Sequence, residues 1–148
     1  MELKFLKKSD FDKYEKMDGG FLLAIDFILS KVDIPIEINN SYRNTHTYHG
    51  RDERCRAIDF RPVDHSVNTT FKLASDIYRI AKEDNIVIGL GLYPYWNVFG
   101  LHIDNGYRSK LRSPGKSQYW YRTKSGSYKY SLDFGVPYEK VSQILRGK

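Results

Sequence analysis

A single cysteine, Cys55, stands among 148 residues. No intrachain disulfide can form, so stability has to come from packing or from a bound metal, and synthesis in a reducing compartment is expected. Long apolar runs are also missing. The longest, Phe21 to Leu29 (FLLAIDFIL), is interrupted by Asp26 and falls far short of the ~20 residues of a membrane-spanning helix. Nor does it read as a signal peptide, because Asp10, Asp12, Glu15 and Asp18 precede it and no small-residue cleavage site follows. The expectation is a chain made in the cytoplasm. Internal repeats and long linkers are absent, so 1–148 is expected to be one domain, large enough to bury a core. Acidic residues are in the minority: 18 Asp and Glu against 24 Lys and Arg give a net charge of +6. That balance favours an anionic partner, whether nucleic acid, cell-wall polymer or anionic lipid.

Periodicity predicts the elements. Ser9 and Asp10 before FDKYEKM have the chemistry of a helix start, and Gly19-Gly20 is expected to break or hinge the pattern. Leu22, Ile25, Phe27, Ile28 and Leu29 recur at helical spacing, predicting a helix over Phe21 to Val32 that Pro35 prevents from continuing. IPIEINNSYR alternates as a strand, and RAIDF begins another. After the loop RPVDHSVN, Thr69 to Asp84 places Phe71, Leu73, Ala74, Ile77, Ile80 and Ala81 on one side of a helix, with a cap at Asn68 or Thr69. IVIGLGLYP and FGLHID read as strands joined by the tight YPYWNV connection. From about 105 the chain changes into a basic aromatic segment without helical period. Pro137 to Arg146 suggests a short terminal helix. The order implies an α+β fold with a small, largely antiparallel sheet flanked by helices.

Residues two apart on a strand share a face, so His102 and Asp104 of HID can line one site. Asp59 lies on the same face as Ala57, with Ile58 and Phe60 turned to the core. An aspartate and a histidine from different strands can bind Zn²⁺ through carboxylate oxygen and imidazole nitrogen; a surface aspartate and a hydrogen-bonded histidine are the plainer reading, and spacing does not decide between them.

IEINNSYR, then H…RAIDF, then GLGLYPYWNVFGLHIDNGYR and a following WYR resemble the zinc peptidases that include D-alanyl-D-alanine carboxypeptidases, murein endopeptidases and the hedgehog amino-terminal domain. The family pattern is a strand ending S-G-Y-R, S-x-H-x(2)-G-x-A-x-D, a helix, G-x-G-x-Y-P and F-x-H-x-D. The resemblance runs in order from about Phe21 to Arg122, and several short motifs in one order are more specific than any single one. It implies a fold of that type, with Asp59 and His102 as zinc ligands and Arg43 holding a substrate carboxylate by bidentate hydrogen bonds.

The third ligand departs from the pattern. The family spacing lands on Asp52, whereas reading THTYHG as the S-x-H element gives His49 with three extra residues in the turn. His49 is preferred and Asp52 is its rival; His46 and Cys55 are lesser ones, Cys55 also reading as a small buried side chain. Many family members carry an acid three residues before the last histidine, where this chain has Phe99. Asp104 is then the nearest carboxylate, either accepting a proton in catalysis or orienting a ligand's second nitrogen. Tyr93 and Trp96 are expected to wall the cleft, Tyr93 alternatively packing in the core.

The activity so implied is zinc-dependent hydrolysis of amide bonds in peptidoglycan stem peptides or cross-links, as in a cell-wall lytic enzyme such as a bacteriophage endolysin. The metal would activate water and polarise the scissile carbonyl. The basic aromatic segment would suit anionic wall polymer. Such a protein would act at the cell wall or be carried in a virion. Two alternatives stay open: a non-catalytic structural or wall-binding virion protein that retains the fold, and a nucleic-acid-binding protein using the same basic aromatic surface.

Overall fold

The computed structural model of the protein describes residues 2–41, 55–106 and 116–130. Two 3₁₀ turns, Lys8–Asp10 and Tyr14–Lys16, occupy the place of the expected first helix. Asp10 accepts a bond from the Lys7 amide and so closes a turn on itself instead of starting a longer helix. Helix α1 runs Gly19–Val32, and the glycine pair opens it instead of breaking it. The Asp18 carboxylate accepts the Phe21 N–H at 2.9 Å, and this cap, placed where first-turn amides have no helical partner, outweighs the poor helix propensity of the glycines. Asp33, in the left-handed conformation, ends the helix. Phe27, part of the apolar recurrence, is 39 % exposed, with the Lys31 ammonium over its ring.

Strand β1 is Ile36–Asn40 and β2 is Ala57–Pro62, so Arg61 and Pro62 extend the strand that the sequence reading ended at Phe60. Helix α2, Val67–Glu83, is capped by Ser66, not by Asn68 or Thr69. Thr69 is the donor: its amide bonds the Ser66 hydroxyl while its own hydroxyl bonds Asp64, so the cap sits one turn earlier than expected. The six apolar side chains assigned to this helix's inner face are all buried.

Strands β3, Gly89–Tyr93, and β4, Gly100–Asp104, follow, and then β5, Gln118–Arg122, and β6, Tyr128–Tyr130. The last two come from the segment read only as a basic aromatic tail. Its alternation is masked by aromatic and charged residues on both faces, and β5 finds its place by pairing with a strand 25 or more residues earlier. The sheet order is β1-β2-β4-β3-β5-β6. All pairs are antiparallel except β3/β5, which is parallel. The architecture is α+β, with two α-helices and a mixed, mostly antiparallel open sheet among the described residues. Among the described residues no helix is long and apolar enough to cross a membrane. The suggested helix at Pro137 to Arg146 lies outside the described residues.

Helix α2 packs on β2, β3 and β4, and α1 packs on α2. Ile58, Phe60, Leu90, Leu92, Leu101 and Ile103 fill the sheet side of this core. The period of two then turns Ala57, Asp59, Gly91, His102, Asp104 and Trp120 to the opposite face.

Candidate functional site

Register assembles that second face. Asp59 pairs with His102, His102 with Gly91, and Gly91 with Trp120, one row across β2, β4, β3 and β5. One step along, Asp104 pairs with Ala57 on one side and Gly89 on the other. Small neighbours leave room for the imidazole and carboxylates to lie across the sheet.

His102 is held between two carboxylates. Its Nδ1 lies 3.0 Å from Asp59 Oδ1 and its Nε2 lies 2.8 Å from Asp104 Oδ2. The three residues are only 5 %, 3 % and 1 % exposed for His102, Asp59 and Asp104. Asp104 is itself fixed, its other oxygen accepting the Gly106 N–H at 2.8 Å. Burial alone would push the imidazole pKa down, but the hydrogen bonds and charges of Asp104 and Asp59 outweigh it and raise it to about 9.

A neutral imidazole carries one N–H and can satisfy only one of the two carboxylates. If Nε2–H serves Asp104, an unshared pair on Nδ1 faces the Asp59 oxygen, and a cation must stand between them. That cation is either a proton, giving imidazolium, or a metal. The donor chemistry fits zinc, which takes an imidazole nitrogen and a carboxylate oxygen readily, so Asp59 and His102 would be the residues to hold it. A carboxylate on the ligand's second nitrogen is the usual companion of such a histidine.

The trio is not a complete cage. Asp59 and Asp104 lie at opposite edges of the ring, and among the described residues no three His, Cys, Asp or Glu side chains group around a common point. A zinc site here would need a third ligand from outside this trio. His49, Asp52 and His46, and Arg43, which the resemblance implies as the carboxylate anchor, lie outside the described residues. Cys55 is fully buried, its Sγ 2.8 Å from the Ser41 carbonyl and 3.2 Å from that of Ala57, and its backbone bonds Lys16 and Asp18. This is the packing of a small core side chain. Phe99 faces the core edge-on to Phe71, with ring centroids 5.1 Å apart.

Tyr93 and Trp96 stack with centroids 4.2 Å apart and planes 14° from parallel. Both are half-buried and outside the main apolar cluster. Trp96 lies over Gly100, where a Cβ would come within 2.6 Å of the indole. Trp120, which the sequence reading did not single out, completes the wall. Its ring centroid is 5.6 Å from that of His102, and its Nε1–H donates to the Tyr93 hydroxyl at 3.0 Å. The indole crosses β3 at Gly91, where any Cβ would fall inside it. The visible signal was the WYR that follows the HID motif. Burial raises the Tyr93 pKa further above its ordinary value, so its hydroxyl stays protonated.

Comparison with protein-family models, with curated proteins and with solved structures gave no match.

Proposed function

We propose that this protein is a zinc-dependent peptidase that hydrolyses amide bonds in peptidoglycan stem peptides or cross-links, acting at the cell wall or from a virion. The observation that carries the reading is His102 clamped between Asp59 and Asp104, with its Nδ1 and an Asp59 oxygen placed to share a cation. The ordered resemblance of SYR, RAIDF, GLGLYP and FGLHID to zinc D-alanyl-D-alanine peptidases and murein endopeptidases gives the substrate class.

Asp59 and His102 would hold the metal, joined by His49, with Asp52 as the rival third ligand. Bound zinc supplies Lewis acidity toward water and the scissile carbonyl. Asp104 orients His102 and keeps its Nε2 engaged. With both oxygens occupied and 1 % exposure, it suits positioning better than proton transfer to substrate. Trp120 and Tyr93 shield the ring edge from water, which strengthens the electrostatics inside. Arg43 would take a stem-peptide carboxylate.

The sequence also supports a second reading, that of a wall-binding or structural protein that retains the fold without catalysis: His49 stands three residues further from Asp59 than in the family pattern, and Phe99 stands where many members carry an acid. Elemental analysis of purified protein separates the two. About one zinc per chain, lost in His102→Ala, together with chelator-sensitive release of fragments from purified walls, is expected. Metal-free wild-type protein that also stays inert after zinc addition would sink the peptidase reading.

A further inference from the structure

Beside the His102 wall runs an open groove of about 310 Å³, between the β3–β4 connection and the β5–β6 turn. Tyr93 and Trp96 form one side and Arg122 to Gly126 the other, with Tyr95 at the rim. Its lining contains no Asp or Glu, but two cations, hydroxyls and aromatic surface. Arg122 and Lys124 form no ion pair with any carboxylate among the described residues; the Arg122 guanidinium rests over the Tyr128 ring, 5.5 Å from its centroid. The Tyr93 hydroxyl accepts from the Trp120 indole and keeps its own proton to donate. At Gly126 the backbone has φ +92, a conformation that favours glycine, and this turn sets Arg122 and Lys124 along one groove wall.

We propose that this groove is a subsite for a carboxylate of an acidic peptide, with Arg122 as the anchor and the Tyr93–Trp96 stack beneath the adjoining chain. The inference rests on the peptidase reading and extends it from the metal to the substrate. A guanidinium fork matches a carboxylate with two parallel charge-assisted bonds. The volume suits one or two residues of a bound segment and not a polymer track. The groove borders the site: Tyr93 lines it and bonds Trp120, whose ring lies against His102. A nucleic-acid phosphate is the rival anion, and its flat bases would also find Trp96.

The test uses the full chain in chelator, so that binding is read without turnover. The probes are an N-acetylated peptide with a free D-glutamate carboxylate, the same peptide as its carboxamide, and a short single-stranded oligonucleotide. The quenching of Trp96 and Trp120, the two tryptophans of the chain, reports occupancy. The acid is expected to bind about tenfold or more tighter than the amide, and Arg122→Ala to remove that preference while Arg122→Lys keeps part of it. Lys124→Ala, at an exposed turn, should weaken the acid by a smaller factor, and unchanged circular dichroism of each variant shows that folding is intact. Equal binding of acid and amide, wild-type preference in Arg122→Ala, or tighter Arg122-dependent binding of the oligonucleotide overturns the subsite. Acid preference with no zinc and no wall hydrolysis leaves the subsite standing and removes only the peptidase reading.

Discussion

At the scale of single residues, the chemistry turns on one imidazole with a carboxylate at each nitrogen. The Asp104→Asn change keeps the shape and the Gly106 contact but removes the charge that holds Nε2–H. Zinc affinity is expected to fall about 10- to 100-fold, measured by competition with a chromophoric chelator, while the unfolding midpoint of the metal-free protein reports any structural cost separately. His102 also sets a pH dependence. Its folded pKa, about 9, lies above the ordinary 6.5. The metal-free protein therefore has this stabilising contribution in full below about pH 6.5 and loses it as pH rises through about 9. Urea midpoints in chelator at pH 6, 7.5 and 9.5 should decline in that order, and a flat profile, with His102→Gln as control, would contradict the clamped imidazolium. Legibility at this scale was partial. Asp59, His102 and Asp104 announce themselves because a strand has period two and their apolar neighbours fix which face is core. That Asp104 reaches the far nitrogen of His102 needs side-chain directions that no spacing supplies.

At the scale of elements, two features hold the frame behind the site. Asp26, which looked like an interruption in an apolar helix, is buried and accepts the amides of Lys4, Phe5 and Leu6 at 2.8, 2.9 and 2.8 Å. It fastens the N-terminal segment across α1. In Asp26→Ala these three amides lose a charged acceptor, and a loss of about 3 kcal/mol is expected in urea denaturation, with hydrogen exchange rising first in residues 4–6. The second feature is the glycine crossing of β3. Gly91→Ala should displace the Trp120 indole from His102 and cost about 1–3 kcal/mol as overpacking, read as a red-shifted tryptophan emission and a lower unfolding midpoint. Sequence could mark Gly91 as unusual in a strand, but the reason for it, an indole from a strand 29 residues away, appears only with the parallel β3/β5 pairing. Ser66 taking the cap from Asn68 or Thr69 has a similar cause, because Asp64 engages Thr69 and leaves Ser66 in place to receive its amide.

At the scale of the whole molecule, α2 covers one face of the sheet with α1 packed on it, and the other face presents the Asp59–His102–Gly91–Trp120 row. Zinc binding to the folded chain alone would stabilise it by mass action. At free zinc one hundred times the dissociation constant the gain is about 2.7 kcal/mol, visible as a raised melting temperature that chelator reverses and that Asp59→Ala abolishes. The sequence by itself determined the α+β class, the core face of α2 and, apart from Phe27 and Asp26, that of α1, and the strand face that carries Asp59, His102 and Asp104, since each follows from local periodicity. For Tyr93 it left two readings open, cleft wall and core packing. Only the tertiary structure decided that β5 and β6 complete the sheet, that Trp120 closes over His102, that Cys55 is core, and that Arg122 and Lys124 line a groove bordering the site. The physical reason is range: periodicity is written into neighbouring residues, whereas strand order, side-chain reach and the meeting of charges across the sheet depend on residues far apart in the chain.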